Sequence, residues 1–178
     1  TTVPSTPVPG AEATKQAIIQ TNTETTQSES ETQISDLGGQ ASIFIPSAGI
    51  YTSIVQVYLN GTSWDVSKLG SNIGHLEGTA WLGNPGNVVL SGHVELSDGR
   101  RGIFANLEKV EIGDFVVVEQ GGDEYRYVVT SSYTTAPNDL TPLHPSSTDR
   151  LTLITCDNYN FFQDSYLDRI IIVAERVS

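Results

Sequence analysis

The sequence has little of several residue types, and each shortage excludes something. With one cysteine and no methionine, the chain can form no internal disulfide, so folding must depend on a packed core. No apolar run approaches the roughly 20 residues that a membrane-spanning helix needs. Only 9 Lys and Arg stand against 21 Asp and Glu, which gives a net charge of −12. Because the basic residues are also scattered, we expect no nucleic-acid partner.

The lone cysteine, Cys156, allows two interpretations. Free cysteine is among the most buried residue types, and the count alone favours an inert core residue. The alternative is a thiol that is retained for its reactivity. The residues around Cys156 decide between the two interpretations.

The first part of the chain differs in composition from the rest. Residues 1–33 contain 12 Ser or Thr and too little apolar surface to offset the entropy of ordering. We therefore predict a flexible linker or stalk over residues 1–33, followed by one domain over residues 34–178, which is long enough for a substantial core. With no initiator Met and no signal sequence, the chain is expected to be a processed or truncated ectodomain.

Short β-branched and aromatic runs, separated by Gly, Pro and Asn, begin near residue 42. They predict strands at 42–45, 53–59, 87–91, 115–119, 125–130, 151–155 and 169–174. Gly121 and Gly122 predict a hairpin turn between two of them. The clearest helical spacing is at 102–110, where Ile103, Leu107 and Val110 share a face. Many short strands and one or two short helices indicate an all-β, closed or nearly closed barrel.

Three residues with reactive side chains stand at predicted strand ends. Cys156 ends the strand at 151–155, before a polar, turn-like stretch at 157–160 that leaves the thiol within reach of solvent. Arg169 begins the next strand, and an antiparallel pairing of these two strands would bring Arg169 beside Cys156. His93 follows a third strand after Gly92. Each residue alone has an ordinary structural explanation, but together they predict an active site at one rim of the barrel.

The chemistry of the three side chains explains why they would be combined. A thiol is a strong nucleophile, but its reference pKa near 8.5 leaves little thiolate at neutral pH. An imidazole can stabilise the thiolate and then protonate a leaving amine. A guanidinium supplies fixed donors to the oxyanion of a cleaved amide. Thr155 can add a hydroxyl or a backbone N–H beside the nucleophile.

These motifs resemble those of the sortase family. Residues 151–156, Leu-Thr-Leu-Ile-Thr-Cys, are similar to the sortase TLxTC signature, residues 91–93 to its Gly-His motif, and Arg169 stands where the family's arginine follows the cysteine. The resemblance covers residues from about 41 to 177. The TLITC motif resembles class A, whereas the segment upstream of His93 resembles classes D and E.

The resemblance implies a closed, eight-stranded sortase-type barrel and a cysteine transpeptidase. Such enzymes cut an LPxTG-like sorting signal of a secreted protein between Thr and Gly, through a thioacyl intermediate on cysteine. An amine of a cell-wall precursor or a pilin lysine then accepts the acyl group. Cys156 would be the nucleophile, His93 the acid and base, Arg169 the oxyanion or substrate anchor, and Thr155 a supporting contact. The enzyme would act outside the bacterial membrane, held by an N-terminal tether that is absent from this chain.

In sortases the loop before the cysteine strand contributes to binding of the sorting signal. On that basis, four residues of the loop are candidate apolar contacts: Ala136, Pro137, Leu140 and Leu143. No cofactor or metal is predicted, because one cysteine and dispersed histidines cannot form a closed zinc site. Calcium activation is not expected either, because residues 78–87 contain no carboxylate and calcium takes 6–8 oxygen ligands.

Other residues and functions remain to be weighed against this interpretation. His75 is interpreted as a structural hydrogen-bonding residue, and Trp64 and Trp81 either pack against the barrel or form a wall of the substrate groove. An L,D-transpeptidase fits poorly, because such enzymes have Gly before the cysteine, where this chain has Thr155. The alternative from another class is a non-catalytic β-barrel adhesion or scaffold module with an inert cysteine.

Overall fold

The computed structural model describes residues 40–156, with Cys156 by its backbone, and residues 168–177. Ten strands follow in chain order: β1 (Ala41–Ile45), β2 (Ile50–Val57), β3 (Leu59–Asn60), β4 (Ser63–Trp64), β5 (Ile73–Leu76), β6 (Asn87–His93), β7 (Phe115–Gln120), β8 (Asp123–Thr135), β9 (Arg150–Cys156) and β10 (Arg169–Val177). Three single-turn 3₁₀ helices lie between them, at Pro46–Ala48, Leu107–Lys109 and Thr141–Leu143. The described residues contain no α-helix.

Eight of the strands close into a barrel in the order β1-β2-β5-β6-β9-β10-β8-β7, while β3 and β4 form a separate two-stranded ribbon. Alternate residues of the barrel strands fill its interior, and Ile43, Leu90, Leu153 and Ile172 are each 0% exposed. The closed barrel predicted from the strand pattern and the eight strands implied by the family resemblance are thereby confirmed. Closure leaves the barrel no free edge strand.

A second apolar cluster lies on the outer face of part of the barrel. Its buried members are Val57, Leu69, Leu76, Val89, Ile154 and Ile171, and Trp64, Val66 and Leu143 pack against them. Val89 of β6, Ile154 of β9 and Ile171 of β10 present this face. It is covered by the segment between β2 and β5 and by the loop between β8 and β9, so these strands are buried on their outer face as well as on their inner one.

The seven predicted strands all have observed counterparts, several of them longer than predicted. The predicted turn at Gly121 and Gly122 is confirmed, because Gln120 pairs with Asp123 across it and both glycines have positive φ, 61° and 94°. Strand β5 was missed. It is four residues long and all four are buried, so it lacks the alternation of apolar and polar residues that identifies a half-buried strand.

The helix predicted at 102–110 is wrong. This segment forms a series of tight turns, with hydrogen bonds from the Leu107 N–H to the Phe104 carbonyl and from the Val110 N–H to the Leu107 carbonyl. Only Leu107–Lys109 is a 3₁₀ helix. Successive turns that close at i+3 bury every third residue, here Phe104, Leu107 and Val110, and this spacing resembles that of an amphipathic helix.

Within residues 40–156 and 168–177, no helix is both long enough and apolar enough to cross a bilayer. The predicted linker at 1–33 and the predicted turn at 157–160 lie outside the described residues, so both stay predictions.

Candidate active site

Strands β6 and β9 run parallel and end together. Their register pairs Val89 with Thr152, Ser91 with Ile154 and, at the last position, His93 with Cys156. His93 and Cys156 are therefore direct neighbours across the sheet, although 63 positions separate them in the sequence. The backbones of Cys156, the predicted nucleophile, and His93, the predicted acid and base, therefore lie side by side.

Strand β10 brings Arg169 to the same row. It runs antiparallel to β9, with Ile171 opposite Ile154 and Ile172 opposite Leu153, which confirms the antiparallel pairing expected from the sequence. Continued by two residues, this register sets Arg169 opposite Cys156. His93, Cys156 and Arg169 thus occupy one row across three neighbouring strands, at the end of the barrel where β6 and β9 finish.

The imidazole of His93 is held by a backbone carbonyl. Its Nε2 lies 3.1 Å from the Val66 oxygen, and since a carbonyl can only accept, Nε2 carries the proton of this hydrogen bond. Its Nδ1 is buried and has no hydrogen-bond partner among the described residues. Nδ1 is therefore the ring nitrogen that is available to exchange a proton.

The backbone of His93 is supported by the chain that returns after β6. The Gly102 N–H donates to the Val94 carbonyl at 2.8 Å, and the Phe104 N–H donates to the His93 carbonyl at 2.9 Å. Gly102 packs so closely that a Cβ atom there would lie 2.1 Å from the His93 oxygen. Only glycine allows this contact, so Gly102 helps to fix the end of β6.

A groove of about 260 Å³ lies on the outer face of the barrel and reaches this row. Its floor includes Ser91 of β6, Ile154 and Thr155 of β9, and Arg169 of β10. Apolar walls rise on both sides. One wall comes from the segment between β2 and β5 and the other from the loop between β8 and β9, and together they contribute Trp64, Val66, Pro137, Leu140 and Leu143.

The groove contains most of the substrate-binding residues that were predicted. Pro137, Leu140 and Leu143 line it, and so does Thr155. Ala136 is exposed and is not among the residues that line the groove, so the structure does not bring it to the others. Leu140 is 55% exposed, which leaves an apolar side chain at the surface beside the groove.

Thr155 has a structural contact of its own. Its Oγ1 accepts a hydrogen bond from the Ile170 N–H at 3.0 Å, and the residue is 4% exposed. The hydroxyl thus ties the end of β9 to the start of β10, one residue from both Cys156 and Arg169. It stabilises the spacing of the two strands at the point where the candidate site lies.

Three further residues of the site were not predicted as such. Val66 supplies the carbonyl that binds His93, Ser91 donates to the Ile154 carbonyl at 3.2 Å in the groove floor, and Asn87 anchors the loop that carries Leu143. No motif could have revealed Val66, because the contact is made by its backbone. Asn87 and Ser91 share the face of β6 that carries His93, and their positions six and two residues before it are a signal that could have found them.

His75 is a structural residue, in line with its interpretation from the sequence. It is 1% exposed, its Nε2 donates to the Ala80 carbonyl at 2.8 Å, and its Nδ1 lies 2.9 Å from the side-chain oxygen, Oε1, of Gln56. Burial lowers its pKa. Trp81 packs on the ring of His75, whereas Trp64 lines the groove and donates its indole N–H to the Glu77 carbonyl at 3.0 Å.

A second, larger cleft of about 670 Å³ lies between the start of β1 and the β7–β8 turn. It is lined by polar residues, including Glu119 and Glu124, and by none of the predicted site residues. The part of the chain that the structure describes also contains no cluster of His, Cys, Asp and Glu that could hold a metal ion. The smaller groove is therefore the candidate active site.

Comparison with known proteins agrees with this geometry. The sortase domain family matches residues 43–177. Sortase A of Staphylococcus aureus (strain NCTC 8325 / PS 47) is 32% identical over 93 residues, which are 51% of this chain. The match spans 45% of the length of that relative.

Solved structures give the same result. A sortase D5 transpeptidase of Clostridium perfringens is 28% identical, with a TM-score of 0.63 over 94% of this chain and 95% of that one. Sortase C1 of Streptococcus agalactiae is also 28% identical, with a TM-score of 0.62 over 96% and 93%. The fold is thus that of a class of cysteine transpeptidases. The chain belongs to the sortase family, and its class within the family stays a prediction.

Proposed function

We propose that this chain cleaves an LPxTG-like sorting signal and transfers the acyl part to an amine, through a thioacyl intermediate on Cys156. The observation that carries the proposal is the row formed by His93, Cys156 and Arg169 at the end of an apolar groove. A groove with apolar walls and a few polar groups at one end suits an extended peptide with apolar residues beside the bond to be cut.

In the first half of the proposed reaction, the Cys156 thiolate attacks the carbonyl carbon of the Thr–Gly amide. Arg169 donates hydrogen bonds to the oxyanion that forms. When the C–N bond breaks, His93 gives a proton to the leaving amine from Nδ1, while Nε2 stays bonded to the Val66 carbonyl. The products are a thioester on Cys156 and a released peptide with a free amino terminus.

In the second half, an amine attacks the thioester carbon and His93 accepts the proton that the amine loses. The new amide forms as the C–S bond breaks, and the thiolate is restored. We propose secreted proteins with a sorting signal as acyl donors, and an amine of a cell-wall precursor or a pilin lysine as acceptor. Sortases act at the cell surface, and we propose the outer face of the bacterial membrane as the location of this chain.

Thioester trapping tests the proposal. The protein is incubated with a fluorescent LPxTG-type peptide and no amine, quenched in acid, and analysed by mass spectrometry. We expect an adduct on Cys156 that hydroxylamine removes and that Cys156→Ala lacks. A scrambled peptide is the matched control. No adduct from any signal peptide, with normal folding of the protein, would reject the proposed reaction.

Alkylation separates the enzyme from the alternative of a non-catalytic module. A reactive thiol at the rim is expected to be labelled by iodoacetamide within minutes in the folded protein, and His93→Ala is expected to slow the labelling by lowering the thiolate fraction. Labelling that occurs only after unfolding would favour the inert cysteine.

A further inference from the structure

The side chain of Asn87, the first residue of β6, is buried and fully engaged in hydrogen bonds. It is 3% exposed. Its Nδ2 donates to the carbonyls of Pro142 and His144, both at 2.9 Å, so both N–H groups of the amide are used. Its Oδ1 accepts from Thr152 Oγ1 at 2.7 Å, and Thr152 is 0% exposed. A satisfied buried network of this kind fixes the positions of its members.

The chain between the two carbonyls that Asn87 binds carries the side chain of one groove-lining residue, Leu143. That residue packs against the outer apolar cluster and forms part of the wall of the groove. Asn87 therefore holds the chain before and after a groove-lining side chain. Thr152, on the neighbouring strand, holds the Asn87 amide in the orientation that presents both N–H groups to the loop.

Other side-chain bonds of this loop lie nearer to solvent. Asp139 accepts from the Thr141 N–H at 2.9 Å and from the Thr135 hydroxyl. These bonds lower the pKa of Asp139 to about 2, the Thr135 hydroxyl having the largest effect. A buried amide left without its partners is costly. The bonds of Asp139 reach the loop at Thr141, whereas those of Asn87 reach the carbonyls before and after Leu143.

We propose that Asn87 is a positioning residue, which sets the affinity for an apolar residue of the peptide substrate by holding Leu143 in the groove wall. The inference rests on the proposed function, because it takes the groove as the peptide site. Asn87 does not touch the reacting atoms, since it lies six positions before His93 in β6, which is roughly 20 Å of extended strand. Its effect is on the binding of substrate, through Leu143.

Steady-state kinetics of two variants and one control test this role. Asn87→Asp replaces the donor amide by a carboxylate that cannot donate to the two carbonyls, and Thr152→Val removes the hydroxyl that orients Asn87 at nearly constant volume. For a signal peptide with leucine facing the groove, we expect each variant to raise KM about tenfold, the effect of losing roughly one buried hydrogen bond. The value of kcat should stay within about twofold. Thr152→Ser retains the hydroxyl and should retain the KM of the wild type.

Amide hydrogen exchange measures the loop without any turnover. In a Cys156→Ala background, the N–H groups of Leu143 and His144, which bond within the loop, should exchange at least tenfold faster in Asn87→Asp and Thr152→Val. Those of Leu153 and Val173, in the strands, should be unchanged. If Asn87→Asp does not fold, Thr152→Val alone decides the outcome.

Each outcome separates the inference from the function on which it rests. Wild-type KM and wild-type loop exchange in the variants would overturn the inference, and so would a parallel fall of kcat with faster exchange throughout the barrel. If the wild type acts on no signal peptide, the proposed function fails. The exchange rates of Leu143 and His144 then still decide whether Asn87 holds the loop.

Discussion

Replacing Gly102 by alanine tests whether the backbone of His93 must be held in place. A Cβ atom at Gly102 would lie 2.1 Å from the His93 oxygen and 2.5 Å from its carbonyl carbon. To reach 3.0 Å, the shortest separation that such contacts show, the groups must move apart by at least 0.9 Å. Both sides of the contact are backbone, so no side-chain rotation can relieve it. The end of β6, with His93, must shift, or the turn at Gly102 must.

A displacement of about 1 Å at a catalytic group can lower the rate about 100-fold. We therefore expect Gly102→Ala to lower kcat/KM for a signal peptide by about two orders of magnitude. Thermal and urea denaturation should show a loss of about 1–3 kcal/mol in the free energy of unfolding, as for other overpacked sites. The protein should stay folded at 25 °C, so the kinetic effect can be separated from unfolding.

The matched control is Gly99→Ala in the same loop. No atom lies within 4 Å of a Cβ at Gly99, although its φ of +81° strains any other residue by about 1–2 kcal/mol. This variant should lose a similar amount of stability and retain wild-type turnover. If Gly102→Ala also retained wild-type turnover, the argument that the return chain fixes His93 would be refuted.

Three further predictions concern single side chains. Cys156→Ala should abolish acylation in the trapping assay and leave the circular dichroism melt within a few degrees, and a surviving adduct would remove Cys156 from the mechanism. Arg169→Lys should lower kcat about 100-fold, because one ammonium cannot reproduce the planar fork of donors; wild-type turnover would contradict the assigned role. Burial lowers the pKa of His75, so the unfolded state binds the proton more tightly than the folded state. The contribution of neutral His75 to the free energy of unfolding should be fully present above pH 6.5. Below that pH it should fall by at most about 1.4 kcal/mol per pH unit. Urea titrations at pH 7.5 and 5.5 should show this loss of unfolding free energy in the wild type and in the exposed control His144→Gln, but not in His75→Gln. An equal loss in all three proteins would contradict the assignment to His75.

The strands and the candidate site could be predicted from the sequence where runs of apolar and β-branched residues end at a reactive side chain. The run Leu151–Thr155 alternates between the two faces of the barrel, and both faces are buried, so its apolar and β-branched residues indicate a strand that ends at a reactive residue. His93 and Arg169 stand at strand ends in the same way. The site was predicted because reactive side chains at strand ends are a local feature of the sequence.

The failures have a physical reason as well. Strand β5 is short, contains Gly74 and His75, and is buried on both faces, so its identity depends on the partners β2 and β6. The segment before Val110 repeats its buried residues at a spacing of three, and a series of tight turns produces that spacing as readily as a helix does. In both places the secondary structure is set by tertiary contacts, which override local preference.

The sequence by itself determined that Cys156, His93 and Arg169 stand at strand ends, because the order of apolar and polar residues along the chain defines where a strand stops. Only the tertiary structure decided that β6 and β9 lie side by side in parallel, since strands so far apart in the chain are joined by barrel closure and by packing on two faces. It also decided which nitrogen of His93 is bound by Val66 and which carbonyls Asn87 holds. The acceptors in those contacts are backbone carbonyls, which every residue carries, so the side chains of the accepting residues do not mark them in the sequence.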